Sequence, residues 1–124
     1  MSFWSSIMQP VGRSRTHKRR YPRVTCSFDG RLTTTRKEVH KIKVINISLG
    51  GVALSVPAPL EKGDKVLLEF RAVDHDEVMK IKAIGRVVFV IFRHSVHELG
   101  IEFQSDISVY DAFIRNYVNN RLRA

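Results

Sequence analysis

From Val24 onward, apolar and polar residues alternate in short runs, and this period of two constrains the fold more than any other feature of the chain. Val24, Cys26 and Phe28 alternate with polar neighbours, with Gly30 a place for a bend or a bulge. Val39 to Ile47 is rich in β-branched residues. Val52, Leu54 and Val56 alternate next and stop at Pro57-Ala58-Pro59, where proline removes a ladder donor. A turn over 61–64 leads to Val66, Leu68 and Phe70, and a polar loop over 74–77 leads to residues 79–92, long enough for one strand bent at Gly85. Leu99, Ile101 and Phe103 close the series. Six strands at short spacing predict an all-β fold, a six-stranded antiparallel barrel, because closure removes sheet edges and buries one face of every strand.

The period changes near the C-terminus. Tyr110, Phe113, Ile114, Tyr117, Val118 and Leu122 form one apolar stripe at helical spacing, with Ser108 as the expected cap and Arg121 and Arg123 near the end favoured by the helix dipole. This predicts a C-terminal α-helix packed on the barrel. The 124 residues suit one domain. Cys26 is the only cysteine, falls on the apolar side of its strand and is expected in the core. The apolar run 87–92 is too short to span a bilayer, so no membrane span and a cytoplasmic location are expected.

Charge is distributed unevenly. Residues 1–23 carry six of the 21 Lys and Arg side chains and none of the 12 acidic ones, whereas the remaining 101 residues hold 15 cations against 12 anions. The organisation expected is a flexible basic N-terminal arm over residues 1–17 and a folded domain over 18–124. A basic arm suits an anionic partner. It is also what a merely solubilising tail would look like, so charge alone selects no function.

Two motifs narrow the chemistry. Arg19-Arg20-Tyr21-Pro22-Arg23 places Arg19 and Arg23 in an R-x-x-x-R spacing where the arm joins the first strand, and Pro22 holds Tyr21 extended. Guanidinium groups grip phosphate in two-point fashion and stack on bases. Asn46-Ile47-Ser48-Leu49-Gly50-Gly51 lies between two strands and offers an amide, a hydroxyl and a glycine able to adopt unusual backbone angles or admit a ligand closely. Each motif alone is also an ordinary basic run or an ordinary turn. In this order the pair resembles the PilZ domain family, whose signature is R-x-x-x-R followed about 20 to 30 residues later by [D/N]-x-S-x-x-G. Further likeness runs through residues 57–70, Gly85-Arg86-Val87-Val88 and Leu99-Gly100-Ile101-Glu102-Phe103.

The resemblance implies a PilZ-type barrel with a C-terminal helix and a receptor for the bacterial second messenger cyclic di-GMP. By it, Arg19 and Arg23 would contact phosphates and guanine edges, with Arg20 as an extra contact. Asn46 and Ser48 would hydrogen-bond a guanine, and Gly51 would shape the turn beneath. Asn46 stands where the family more often has Asp, and it accepts more weakly but also donates. The expected partners are cyclic di-GMP and an unidentified downstream protein, with no nucleic acid and a monomer or weak dimer. No cofactor and no enzymatic activity are expected: His94 and His97 lack a third ligand nearby, His75 sits in a charged loop, and no nucleophile set can be assembled. Two alternatives remain at this stage. One is a ligand-independent adaptor of the same fold. The other is a small-barrel binder of single-stranded nucleic acid using Phe70, Phe89 and Phe92, although these largely share the period of buried residues.

Overall fold

The computed structural model describes residues 21–123. Six strands follow in order: β1 (Val24–Thr34), β2 (Val39–Ile47), β3 (Gly51–Val56), β4 (Lys65–Asp74), β5 (Glu77–Arg93) and β6 (Val96–Phe103). They close into an antiparallel barrel in the order β1-β2-β3-β6-β5-β4, with β4 paired back to β1. A 3-10 turn (Ser108–Tyr110) leads into the helix α1 (Asp111–Arg123). The expected barrel and terminal helix are both present.

Alternation dictates the interior. Phe28, Leu32, Val44, Leu54, Leu68, Phe70, Ile81, Val87, Leu99 and Ile101 are buried, and most of their strand neighbours face outward. Each such side chain contributes about 1.5–3 kcal/mol by leaving water. Helix α1 covers one end of this core. Phe113, Ile114, Tyr117 and Val118 are buried, the Tyr117 ring meets Phe28 edge-on at 5.3 Å, and Leu122, the last residue of the stripe, is exposed. The cap differs from expectation. Ser108 donates its own N–H to Asp106 Oδ1 at 2.9 Å, so an aspartate two residues earlier starts the turn, and these bonds hold its carboxyl below the usual range.

The irregularities lie where glycines do not. β1 runs through Gly30 in unbroken register from Phe28 to Thr33, and its bulge is at Cys26–Ser27. β5 is bulged at Val88, three residues past Gly85. Beyond that bulge the buried phase is lost: Phe70 is buried and Phe89 half-buried, but Phe92 is 67% exposed and rests against His97. Cys26 is half-buried rather than enclosed; its thiol donates to the Val44 carbonyl at 3.6 Å, and burial pushes its pKa up to about 12.

Candidate functional site

The two sequence motifs meet because β1 and β2 are antiparallel. Val24, the first residue of β1, pairs with Ile47 near the end of β2, and Thr25 pairs with Asn46. Arg23, half-buried, therefore enters the barrel beside the β2–β3 turn. Arg19 and Arg20 lie outside the described residues.

Asn46 owes its orientation to a bulge. Ile42 and Val44 point into the core, and in a regular strand residue 46 would follow them. Instead β2 carries one extra residue, Ile45, against β3, where Val44 pairs with Leu54 and Asn46 already pairs with Ala53. The extra residue inverts the phase, so Ile47 turns into the core and Asn46 turns out beside Arg23. The Asn46 Oδ1 is nevertheless buried and has no hydrogen-bond partner among the described residues. Such an acceptor is costly unless something supplies a donor.

The turn after it is built by Ser48. This is the buried polar side chain among the described residues, 1% exposed. Its hydroxyl accepts from the Gly50 N–H at 3.0 Å and donates to the Gly51 carbonyl at 3.4 Å, while its N–H donates to the same carbonyl at 2.9 Å. The hydroxyl is thus engaged inside the turn. Gly51 begins β3, pairs with Glu102 and is buried; the described glycine with a left-handed backbone is Gly63, φ 97°, so Gly51 does not use that region. Gly50 has a sharper requirement. A Cβ there would come 3.0 Å from Cδ2 of Tyr21, so the tyrosine ring lies directly on the turn. The Phe103 N–H donates to the Gly50 carbonyl at 3.0 Å and ties the turn to β6.

Helix α1 completes the surroundings. Tyr21, Pro22 and Leu49 face Arg115, Val118 and Asn119 across a cleft of about 220 Å³. Arg115 and Asn119, one helical turn apart, are exposed and stand beside the apolar stripe. Sequence reasoning passed over both. Their only signal was a polar pair bordering the buried positions Ile114 and Val118. The site therefore gathers one described arginine, an unsatisfied amide acceptor, a rigid glycine turn and a further arginine and asparagine from the helix. These are groups for phosphates and a nitrogenous base, and no group of three or more His, Cys, Asp or Glu among the described residues could hold a metal. No helix among them is long and apolar enough to cross a membrane.

A small closed barrel thus carries Arg23 and an Asn-x-Ser-x-x-Gly turn at one end. The family model for the PilZ domain matches residues 17–120, and the chain belongs to that family. Among solved structures, the Bacillus subtilis inhibitor of motility (MotI/DgrA) superposes with a TM-score of 0.76 at 18% identity, over 88% of this chain and 53% of that one. The PilZ domain of Escherichia coli YcgR, solved with c-di-GMP, gives 0.65 at 14% identity over 86% and 93% of the two chains. The Klebsiella MrkH–c-di-GMP complex gives 0.62 at 19% identity over 86% and 53%. This chain thus spans about half the length of the first and third of these proteins. No curated protein matches the sequence.

Proposed function

We propose that this chain is a cyclic di-GMP receptor without catalytic activity, and that the bound nucleotide is signalled to a protein partner. The observation that carries the reading is that Arg23, next to Val24, lies at the same end of the barrel as the buried Oδ1 of Asn46, which has no partner among the described residues. Guanine offers N–H donors that fit such an acceptor, and guanidinium groups fit its two phosphates. Arg19, Arg20 and Arg23 are assigned to phosphate and guanine contacts, Asn46 to a guanine edge, and Ser48 and Gly51 to holding the turn on which the base rests. Arg115 lies across the cleft from Tyr21 and supplies a further cation. Family membership and the ligands named with the YcgR and MrkH structures support the choice of nucleotide.

The magnitudes are sufficient. A charge-assisted hydrogen bond is worth about 1.5–3 kcal/mol. Micromolar affinity requires roughly 8 kcal/mol, which a few arginine contacts, base hydrogen bonds and stacking supply. Residues 1–23 carry six cations and no anion, so a dianionic ligand at their base reduces self-repulsion. Calorimetric titration with cyclic di-GMP tests the assignment. Arg23→Ala is expected to weaken binding by about tenfold or more, equivalent to about 1.4 kcal/mol per decade. Unchanged affinity would remove Arg23 from the site, and absence of heat with the wild-type chain would leave the ligand-independent adaptor as the reading.

A further inference from the structure

The near-balance of charge in the folded part of the chain conceals a strongly basic face. Across neighbouring strands, Lys41 pairs with Arg31, Arg31 with Glu69, and Glu69 with Lys82. Along the next outward row Lys43 pairs with Asp29, and Arg71 with Lys80. All six cations are exposed, and they outnumber the two carboxylates between them three to one. Two ion pairs use Arg31 with Glu69 at 3.0 Å and Lys43 with Asp29 at 2.6 Å. Both carboxyls are held below their usual range, first by these bonds and then by Lys82 for Glu69 and by Arg71 and Lys41 for Asp29. Two cross-strand pairs, Arg31 with Lys41 and Arg71 with Lys80, set like charges opposite one another. Such pairs disfavour the sheet, and a barrel needing only solubility would have no use for them.

The face is also shaped. These side chains, Lys43 apart, line a groove of about 650 Å³, and partly exposed aliphatic residues border it, Val73 opposite Val78 at one end and Ile84 beyond Lys82 at the other. We propose that this groove docks an extended acidic segment of a partner protein, with aliphatic residues flanking the carboxylates. Charge excludes the nearer occupants. A second copy would set one cationic face against another, and residues 1–23 of the same chain carry no acidic side chain. A single nucleic-acid strand wants aromatic platforms, and no aromatic side chain stands outward among the groove residues, Phe70 being buried. A bilayer is flat and does not enter a groove. The proposal does not depend on the nucleotide reading, since the groove and the turn at Ser48 use different residues.

The test uses the full chain and a fluorescein-labelled peptide of alternating Glu and Val, followed by anisotropy at low ionic strength. The face variant is Lys41→Glu, Arg71→Glu, Lys80→Glu. The control makes the same charge change elsewhere, as Arg36→Glu, Lys62→Glu, Arg123→Glu at exposed positions off the face. Any contribution of the N-terminal cations is common to both. The face variant is expected to bind about tenfold more weakly than wild type, the control to change by less than about threefold, and added salt to abolish the difference. If the face variant does not fold, the corresponding triple Gln variant is expected to lose most of the same affinity. Equal losses in face and control variants, no peptide binding by the wild-type chain, or tighter face-dependent binding to oligothymidine or to phosphatidylserine vesicles would each overturn the proposal.

Discussion

The β4–β5 side of the barrel and the β1–β2–β3 side are built differently. β4 and β5 pair through ten consecutive partners, from Lys65 with Arg86 to Asp74 with Glu77, without a bulge. β2 is irregular on both flanks, facing a bulge at Cys26–Ser27 in β1 and carrying its own at Ile45. The regular side buries Val66, Leu68, Phe70, Ala72, Ile81 and Ala83 in strict alternation. The irregular side spends its extra residue on turning one amide, Asn46, out of the core phase at the end of the barrel where Arg23 leads into β1. Regular pairing supplies stability, and the interruption of pairing supplies the site.

Exchanging the two residues, Asn46→Ile with Ile47→Asn, attacks that difference most directly. It puts an amide at the inward position and an aliphatic side chain at the outward one. The loss is expected to be on the order of 4 kcal/mol or more, combining amide desolvation with lost apolar burial, and nucleotide binding should disappear; chemical denaturation and titration together read it. On the regular side, Leu68→Ala is expected to cost about 2–5 kcal/mol in denaturation while leaving the affinity of the folded fraction unchanged. Asn46→Leu should do the reverse, weakening cyclic di-GMP by about tenfold with stability equal to or above wild type, because a buried unsatisfied acceptor is removed. Loss of stability without loss of affinity at Asn46 would erase the distinction between the two sides.

The smallest effect concerns Cys26 at the β1 bulge. Its folded pKa, about 12, lies above the ordinary value of 9.0 because burial disfavours the thiolate. A group with a raised folded pKa contributes stability that is complete below its unfolded pKa and is lost as pH rises through the folded value. Stability should therefore decline more gently above about pH 9 in Cys26→Ala than in wild type. Denaturation midpoints between neutral and alkaline pH measure this, and parallel profiles would show that the thiol is not shielded.

The sequence made the regular part legible because alternation is local. Six strands and the stripe from Phe113 to Val118 can be read from neighbours alone. Spacing singles out Arg23, Asn46, Ser48 and Gly51 as candidates, and the register brings them to one end of the barrel. What escaped is not local. A bulge depends on the partner strand, so neither the outward turn of Asn46 nor the exposed Phe92 beyond Val88 could be read from β2 or β5 by itself. Arg115 and Asn119 reach the cleft through helix docking. The cationic face comes from four strands that each contribute one or two of its cations, so no single run of sequence shows it. Asp106 displaced Ser108 as the turn's starter because a short side chain two residues back reaches the N–H more easily.

The proposed recognition rests on an amide acceptor and arginines reading a guanine dinucleotide, and the most direct measurement compares two ligands of equal charge and ring size. Titrating the wild-type chain with cyclic di-GMP and cyclic di-AMP holds the phosphates constant and removes the guanine N–H donors. A preference of about tenfold or more for cyclic di-GMP is expected, and it should shrink in Asn46→Leu. Equal affinity for the two nucleotides, or no binding of either, would contradict the account.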